Sequence, residues 1–305
     1  MSDKKLIEII GVPSDLGANM RGANMGPAAL RIAELKDKIE ALGYKANDLG
    51  DIHVPVRDSL SKEIQDKKFL EPLIDICQDL SDSCYQSVKG GKFPIVIGGD
   101  HSIAVGTISG VARHHIDNGD DLGVIWVDAH ADINTPSSSP SGNIHGMPLA
   151  TLMGDGHREL CDIGGSHQKI KPENVALIGI RTIDEIEKKL LKESGVNYYS
   201  MRDIDERGMS SVMTEALEKI TKKTKSLHVS FDIDGIDPRH APGVSTPVSG
   251  GLTYREAHLL LEMAFETNKV GSLEFVELNP YTDVGAQSAH LTVDLILSAL
   301  GKSIV

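Results

Sequence analysis

The chain has 305 residues, of which 40 % are hydrophobic and 25 % charged, and its formal net charge at pH 7 is −13. This acidic balance argues against a nucleic-acid partner, because phosphate backbones are bound through clustered Lys and Arg. No apolar run approaches the about 20 residues needed to cross a bilayer, so we expect no membrane partner. We expect one α/β domain over residues 1–305, in a reducing cytoplasm because the three cysteines show neither disulfide density nor metal-ligand spacing.

Strand-like apolar runs alternate with longer amphipathic segments along the chain. A first strand is expected within residues 1–10, and further runs lie at 93–97, 122–127, 227–231 and 273–276. Amphipathic segments lie at 26–42, 69–88, 184–194, 210–222 and 253–267. This alternation predicts βαβ units, and hence a three-layer α/β/α fold with a mostly parallel sheet.

Four of the strand-like runs end in carboxylates or histidines. In chain order they lead into Gly98-Gly-Asp-His101, Asp128-Ala-His-Ala-Asp132, Asp232-Ile-Asp234 and Glu277-Leu-Asn-Pro280. Ligands bind at the carboxyl ends of the strands in an open parallel sheet. We therefore expect the four clusters to meet at one edge of the sheet.

The clusters also predict a pair of metal ions. Side chains two residues apart on an extended chain point to one face, and the clusters that begin at Asp128 and at Asp232 both have that spacing. Carboxylates packed together repel one another and lose hydration unless cations neutralise them. Two ions can share bridging carboxylates, and oxygen-rich ligands without thiolate favour manganese, although imidazole also suits zinc, nickel and iron. The predicted ligands are His101, Asp128, His130, Asp132, Asp232 and Asp234.

Two further residues are candidates for catalysis. His145 lies in the long polar loop 133–148, where it either transfers protons near neutral pH or is an ordinary surface histidine. Glu277 ends an apolar run and either faces a cationic substrate group or forms a structural ion pair. Trp126 and His228 lie inside strand-like runs, and we interpret both as core packing.

Motifs spread over nearly the whole chain resemble those of the arginase family of ureohydrolases, and of bacterial arginases in particular. They are Ile10-Gly-Val-Pro13, Arg21-Gly-Ala-Asn-Met-Gly-Pro27, Gly98-Gly-Asp-His-Ser102, Asp128-Ala-His-Ala-Asp132, Ser230-Phe-Asp-Ile-Asp-Gly-Ile-Asp-Pro238, Gly250-Gly-Leu-Thr-Tyr-Arg-Glu256 and Glu277-Leu-Asn-Pro280. The resemblance implies hydrolysis of L-arginine to L-ornithine and urea by a metal-bridging hydroxide, with two Mn²⁺ per subunit. It also implies a homo-oligomer, a trimer or a hexamer.

The resemblance also assigns roles to individual residues. It makes His101, Asp128, Asp132 and Asp232 the ligands of one ion, and Asp128, His130, Asp232 and Asp234 the ligands of the other, so that Asp128 and Asp232 bridge. Asp132 would also orient the hydroxide, His145 would shuttle protons and Glu277 would face the guanidinium. The implied substrate contacts are Asn134, Ser141 and Asn143 for the α-carboxylate, Asp184 with nearby Glu187 for the α-amino group, and Thr246.

Three positions depart from the family pattern. Ala131 stands where Thr or Gly is common, and we expect little effect. Ile186 replaces a common Gly, which puts the orientation of Asp184 and Glu187 in question. Ser245 also replaces a Gly, so we expect a reshaped loop if that position needs a positive φ angle.

Two alternatives remain open from the sequence. The chain could be another ureohydrolase, such as an agmatinase or a guanidino-acid hydrolase, although a substrate without an α-carboxylate would leave the polar groups of Asn134, Ser141 and Asn143 unpaired. It could instead be a metal-binding homologue without activity, which would have no chemical need to retain both His145 and Glu277.

Overall fold

The computed structural model describes residues 5–165 and 167–303 of the chain. Residues 1–4, which include the start of the predicted first strand, lie outside the described residues, as do residues 166, 304 and 305. The strands are β1 (Ile7–Gly11), β2 (Ala46–Asp51), β3 (Phe93–Ile97), β4 (Asp121–Val127), β5 (Val175–Ile180), β6 (Asn197–Ser200), β7 (Thr224–Asp232) and β8 (Val270–Val276).

These strands form one sheet in the order β2-β1-β3-β8-β7-β4-β5-β6, and every pairing between them is parallel. The central strands β3, β4, β7 and β8 are almost wholly buried, as expected for a parallel sheet covered on both faces. The outermost strand β2 is polar and mostly exposed. The predicted parallel α/β fold is therefore confirmed.

Helices cover both faces of the sheet. Their bounds are α1 (Gly26–Ile32), α2 (Leu35–Ala41), α3 (Lys62–Asp66), α4 (Leu70–Lys89), α5 (Ala104–Asp117), α6 (Pro148–Leu152), α7 (Arg158–Cys161), α8 (Glu185–Ser194), α9 (Met201–Arg207), α10 (Met209–Ile220), α11 (Tyr254–Glu266) and α12 (Gln287–Ala299). Apolar residues of α4 and α5 pack on one face. Those of α1, α2 and α9 to α12 pack on the other. Among the described residues, no helix has the length and hydropathy needed to cross a membrane.

The predicted helices lie close to the observed ones, with one clear difference. The segment predicted as one amphipathic stretch over 26–42 forms two helices, because Glu34 between them adopts a left-handed conformation with φ 64°. Strands β2, β5 and β6 and helices α3, α6, α7, α9 and α12 were not predicted from the sequence. Helices α8 and α11 each begin with a capping box, formed by Asp184 with Glu187 and by Thr253 with Glu256.

The order of the strands brings the four predicted clusters together. The clusters follow β3, β4, β7 and β8, and these four strands are consecutive neighbours in the middle of the sheet. All four point the same way, so their carboxyl ends lie at one edge. The fold therefore places the predicted ligands around a single site.

Candidate metal centre

A cavity of about 200 Å³ opens at the carboxyl ends of the central strands. Most of the residues predicted from the sequence line it, whereas the buried Asp128 and the residues Ser141, Asn143 and Asp184 do not. The lining residues are His101, His130, Asp132, Asn134, His145, Gly146, Glu187, Asp232, Asp234, Thr246 and Glu277.

One group of potential ligands surrounds the side chain of His101. Its Nδ1 atom lies 3.1 Å from Asp128 Oδ2, 3.1 Å from Asp132 Oδ2 and 3.2 Å from Asp232 Oδ2. All four side chains are buried. His101 Nδ1 nevertheless makes no hydrogen bond within the described part of the chain.

A second group forms around His130. Its Nδ1 atom lies 3.3 Å from Asp128 Oδ1 and 3.2 Å from Asp234 Oδ2. Asp128 thus offers one oxygen to each group, which is the arrangement required of a bridging carboxylate. Asp232 differs, because its Oδ1 accepts the backbone N–H of Asp234 at 2.7 Å and only its Oδ2 faces the first group.

The charges in these groups perturb one another strongly. Burial, together with the charge of Asp128, raises the pKa of Asp132 to about 7. Burial and the neighbouring aspartates also raise the pKa of Asp232 well above its usual range. Burial alone would lower the pKa of His130, but Asp234 and Asp128 raise it to about 12.

These residues fit a pair of divalent cations. Carboxylate oxygens and imidazole nitrogens are ligands that such ions prefer. Burying so many carboxylates would also cost much free energy unless positive charges neutralised them. The unpartnered Nδ1 of His101 faces three carboxylate oxygens. Two groups of three potential ligands each, His101 with Asp128 and Asp232, and Asp128 with His130 and Asp234, bring their ligand atoms close enough to share an ion.

Two residues of the site have unusual backbone conformations. Asp132 and Glu277 have φ angles of 50° and 63°, in the left-handed region that side chains other than Gly rarely adopt. Hydrogen bonds hold both in place: the carbonyl of Asp132 accepts the N–H of Leu149 at 3.0 Å, and the N–H of Glu277 donates to Gly99 at 2.7 Å. Such strain concentrates at functional sites, where the surrounding structure enforces it.

His145 and Glu277 form a direct pair beside the first ligand group. His145 Nδ1 lies 3.0 Å from Glu277 Oε1, which also accepts the backbone N–H of His101 at 2.9 Å. Burial lowers the pKa of His145, but the hydrogen bond and charge of Glu277 raise it to about 9. The other oxygen, Glu277 Oε2, is buried and has no hydrogen-bond partner among the described residues.

Asn134 and Asp184 are hydrogen-bonded to each other at the edge of the cavity. Asn134 Nδ2 donates to Asp184 Oδ2 at 3.0 Å, while Asp184 Oδ1 accepts the N–H groups of Ile186 and Glu187 at 2.8 Å each. Burial by itself would raise the pKa of Asp184, but these hydrogen bonds lower it below its usual value. Burial raises the pKa of Glu187.

Asn143 lies in the loop that precedes His145 and does not line the cavity. Its backbone N–H donates to Ser141 Oγ at 3.1 Å, and its Oδ1 accepts from Lys68 Nζ at 3.3 Å. Because the side-chain oxygen of Asn143 accepts from Lys68, the NH₂ group of the same amide points away from that ammonium group. Lys68 is 75 positions away in the chain and was not predicted from the sequence.

The departures from the family pattern are accommodated. Ile186 is 52 % exposed, and the capping box fixes Asp184 and Glu187 without needing a Gly there. Ser245 does not have a positive φ angle, so its side chain causes no backbone strain of that kind. Its hydroxyl instead accepts from Asn279 Nδ2 at 3.0 Å. Ala131 is fully buried.

The interpretation of Trp126 as core packing was incomplete. Its ring is buried and stacks on His101 with centroids 4.3 Å apart, but its Nε1 also donates to Asp128 Oδ2 at 3.2 Å. Ser230, which the sequence analysis did not single out, hydrogen-bonds His101 Nε2 at 2.9 Å. Both residues precede an aspartate by two positions on a strand, and this spacing is the signal that could have identified them.

Comparisons with known proteins agree with this geometry. The model of the arginase family matches residues 5–301. The arginase of Bacillus caldovelox is 47 % identical over 302 residues, which cover 99 % of this chain and 100 % of that protein. A solved structure of that arginase superimposes with a TM-score of 0.95 over 99 % of this chain and 100 % of the other.

Other relatives show how far the similarity extends. The arginase of Bacillus subtilis is 46 % identical over 301 residues, which cover 99 % of each protein. An agmatine ureohydrolase of Thermoplasma volcanium is 23 % identical with a TM-score of 0.70 over 98 % of this chain and 89 % of that one, a similarity that concerns the fold alone. The full-length family match and these identities confirm the resemblance seen in the sequence: the chain belongs to the arginase family.

Proposed function

We propose that the protein hydrolyses L-arginine to L-ornithine and urea at a site that holds two manganese ions. The observation that carries the proposal is the pair of ligand groups joined by Asp128, with Glu277 and His145 on the same cavity. Curated relatives at 38–47 % identity, which are named arginases, support the choice of substrate.

Six residues would hold the ions. When bound, a pair of divalent ions supplies Lewis-acid polarisation and lowers the pKa of water toward neutrality. Asp128 and Asp232 are the proposed bridging ligands. The complete proposed set is His101, Asp128, His130, Asp132, Asp232 and Asp234. The carboxylate-rich composition of this set supports manganese over a closed zinc site.

Glu277 is proposed to orient the guanidinium group. Its Oε1 accepts from His145 and from the backbone N–H of His101, whereas Oε2 has no partner among the described residues and can accept an N–H of a cationic substrate. A charge-assisted hydrogen bond in a buried site is strong and directional. Fixing the guanidinium in this way would place the substrate carbon in line for attack.

His145 is proposed to transfer the proton that the leaving amine requires. Because Nδ1 is hydrogen-bonded to Glu277, Nε2 is the ring nitrogen that remains for this exchange. The pKa of His145, raised to about 9, favours the protonated ring at neutral pH. This state suits a general acid.

The polar residues at the edge of the cavity are proposed to select an amino acid. An ionised Asp184 is complementary to an α-ammonium group, with Glu187 and Thr246 lining the cavity beside it. Asn134, Ser141 and Asn143 are the proposed contacts of the α-carboxylate. We also propose a single domain over residues 1–305 and a cytoplasmic homo-oligomer, a trimer or a hexamer, which rest on the family resemblance.

A substrate panel on the manganese-loaded protein tests this function. Arginine should be hydrolysed far faster than agmatine, which lacks only the carboxylate, because unsatisfied polar groups can reject such an analogue by about 10⁴-fold to 10⁵-fold. Urea release is the readout, and Asn143→Ala should narrow the difference mainly by slowing arginine. Equal kcat/KM values for the two compounds would contradict the arginase assignment, and no urea from any guanidino compound would favour an inactive homologue.

A further inference from the structure

A buried carboxylate beneath the metal centre has no part in the proposed chemistry. Glu274 lies in β8 directly opposite Ser230 of β7, and both side chains are completely buried. They lie on the face of the sheet opposite to the apolar side chains of Val229 and Leu273, which pack in the other core. A charge buried this deeply is costly unless other groups pair with it, so its presence requires an explanation.

Hydrogen bonds connect Glu274 to a proposed metal ligand through one serine. Ser230 Oγ donates to Glu274 Oε1 at 2.6 Å and lies 2.9 Å from His101 Nε2. On the far side, His228 Nε2 lies 3.5 Å from the same Glu274 oxygen, and His228 Nδ1 lies 2.8 Å from Ser272 Oγ. Hydrogen bonds thus join His101, Ser230 and Glu274, whereas His228 Nε2 faces the carboxylate without a hydrogen bond among the described residues.

The directions of these hydrogen bonds fix where the hydrogen on His101 resides. An ionised carboxylate only accepts, so the single hydroxyl hydrogen of Ser230 is committed to Glu274. The Ser230 oxygen can then only accept from His101, and this acceptance keeps a hydrogen on Nε2. His101 Nδ1 is left as the nitrogen that can lose its proton, and it is the atom that faces the oxygens of Asp128, Asp132 and Asp232.

The surroundings of Glu274 favour its ionised form. Burial raises the pKa of this carboxyl, but the nearby His228 and His101 and the hydrogen bond of Ser230 together bring it below its usual value. A protonated Glu274 could instead donate to Ser230, and the chain of hydrogen bonds would then lose its fixed direction.

We propose that Glu274 is a positioning residue for the metal centre: acting through Ser230, its carboxylate holds a hydrogen on His101 Nε2 and so reserves Nδ1 for the ion. Replacing a residue that orients a metal-binding histidine through its other ring nitrogen typically weakens metal affinity by about 10-fold to 100-fold. The inference extends the proposed two-metal site to a residue that does not touch metal or substrate.

Manganese titration of purified, metal-free variants tests the inference. Glu274→Gln keeps the size of the side chain and removes its charge, and Ser230→Ala removes the connection to His101. Each should weaken binding of one ion by about 10-fold to 100-fold, with the second ion bound as in the wild type. Free Mn²⁺ is measured by its solution EPR signal, which reports binding without any substrate, so a failure of the arginine assignment would not affect the result.

Two further variants make the outcome decisive. Ser109→Ala removes another buried hydroxyl, which has no hydrogen-bond partner among the described residues, and it should bind both ions normally. In a His101→Asn background, Glu274→Gln should have no additional effect, because the two residues act through one chain. Wild-type affinity in both Glu274→Gln and Ser230→Ala, or equal weakening of both ions, would overturn the proposal. If Glu274→Gln does not fold, Ser230→Ala alone decides.

Discussion

The turn that carries His101 is packed against the first loop of the chain so closely that only Gly fits at residue 99. A Cβ atom built there would lie 2.6 Å from the carbonyl carbon of Ser14 and 2.7 Å from its nitrogen, and closer still to its carbonyl oxygen. All of these are backbone atoms of a fully buried residue, so no side chain can move aside. Carbon atoms in contact prefer about 3.5–4.0 Å, so Gly99→Ala must push the two backbone segments apart by about 1 Å.

The cost of this displacement can be worked out from the structure. Overpacking in a core typically costs about 1–3 kcal/mol. The shift also strains the hydrogen bond from Asp100 N to Ser14 O, 2.9 Å long, which contributes about 1 kcal/mol. The expected loss is therefore about 2–4 kcal/mol. At an unfolding entropy of about 2.1 cal/mol/K per residue, a chain of 305 residues should lose about 3–6 °C in Tm.

Thermal unfolding of the metal-free proteins measures this loss, and Gly146→Ala is the matched control. Residue 146 has no positive φ angle, and a Cβ atom there would meet no atom within 4 Å, so its Tm should stay close to that of the wild type. The reasoning would be refuted if Gly99→Ala unfolded at the same temperature as the control. Manganese titration of Gly99→Ala should in addition show weaker binding of the ion nearest His101, because the displaced turn carries that side chain.

Three other predictions concern the metal ions, the proton transfer and the pH dependence of stability. Asp128→Ala should lose both manganese ions and nearly all activity, since Asp128 offers one oxygen to each ligand group; metal analysis that still finds two ions per subunit would exclude bridging. His145→Asn should lower kcat by about 10²-fold to 10⁴-fold with two ions retained, and unchanged kinetics or a lost ion would contradict its role. Asp237 accepts hydrogen bonds from Arg239, Gly250 and Gly251, which outweigh burial and hold its pKa below the usual value. A carboxyl group whose pKa is lower in the folded state stabilises the protein at pH values above its unfolded-state pKa of about 3.9. This stabilisation is lost as the pH falls toward the folded-state pKa. Urea unfolding of metal-free protein should therefore show Asp237→Asn less stable than the wild type at pH 7, with the difference shrinking below about pH 4; a difference that does not change with pH would refute the charge-based explanation.

Local patterns in the sequence predicted the central strands and the clusters that follow them. Runs such as 93–97 and 122–127 are uniformly apolar because both faces of a parallel sheet are covered, and that requirement is visible in a few adjacent residues. The two clusters that begin at Asp128 and Asp232 likewise indicate a metal site when taken together, whereas one such spacing alone is typical of a turn or a helix cap. The edge strand β2 escaped prediction because its residues are mostly polar and exposed, so it lacks that pattern.

The tertiary structure decided which of these parts meet. Parallel strands can be joined in many orders, and only the folded chain shows that β3, β8, β7 and β4 are neighbours. The left-handed conformations of Asp132 and Glu277 are enforced by hydrogen bonds to residues remote from each strand end, among them Gly99, which is 178 positions from Glu277. The residues next to Glu274 in the sequence do not indicate its proposed role, because that role depends on the hydrogen bond from Ser230, which is 44 positions away on the adjacent strand. Such contacts depend on strand order and register, which arise from packing of the whole core and cannot be obtained from neighbouring residues in the chain.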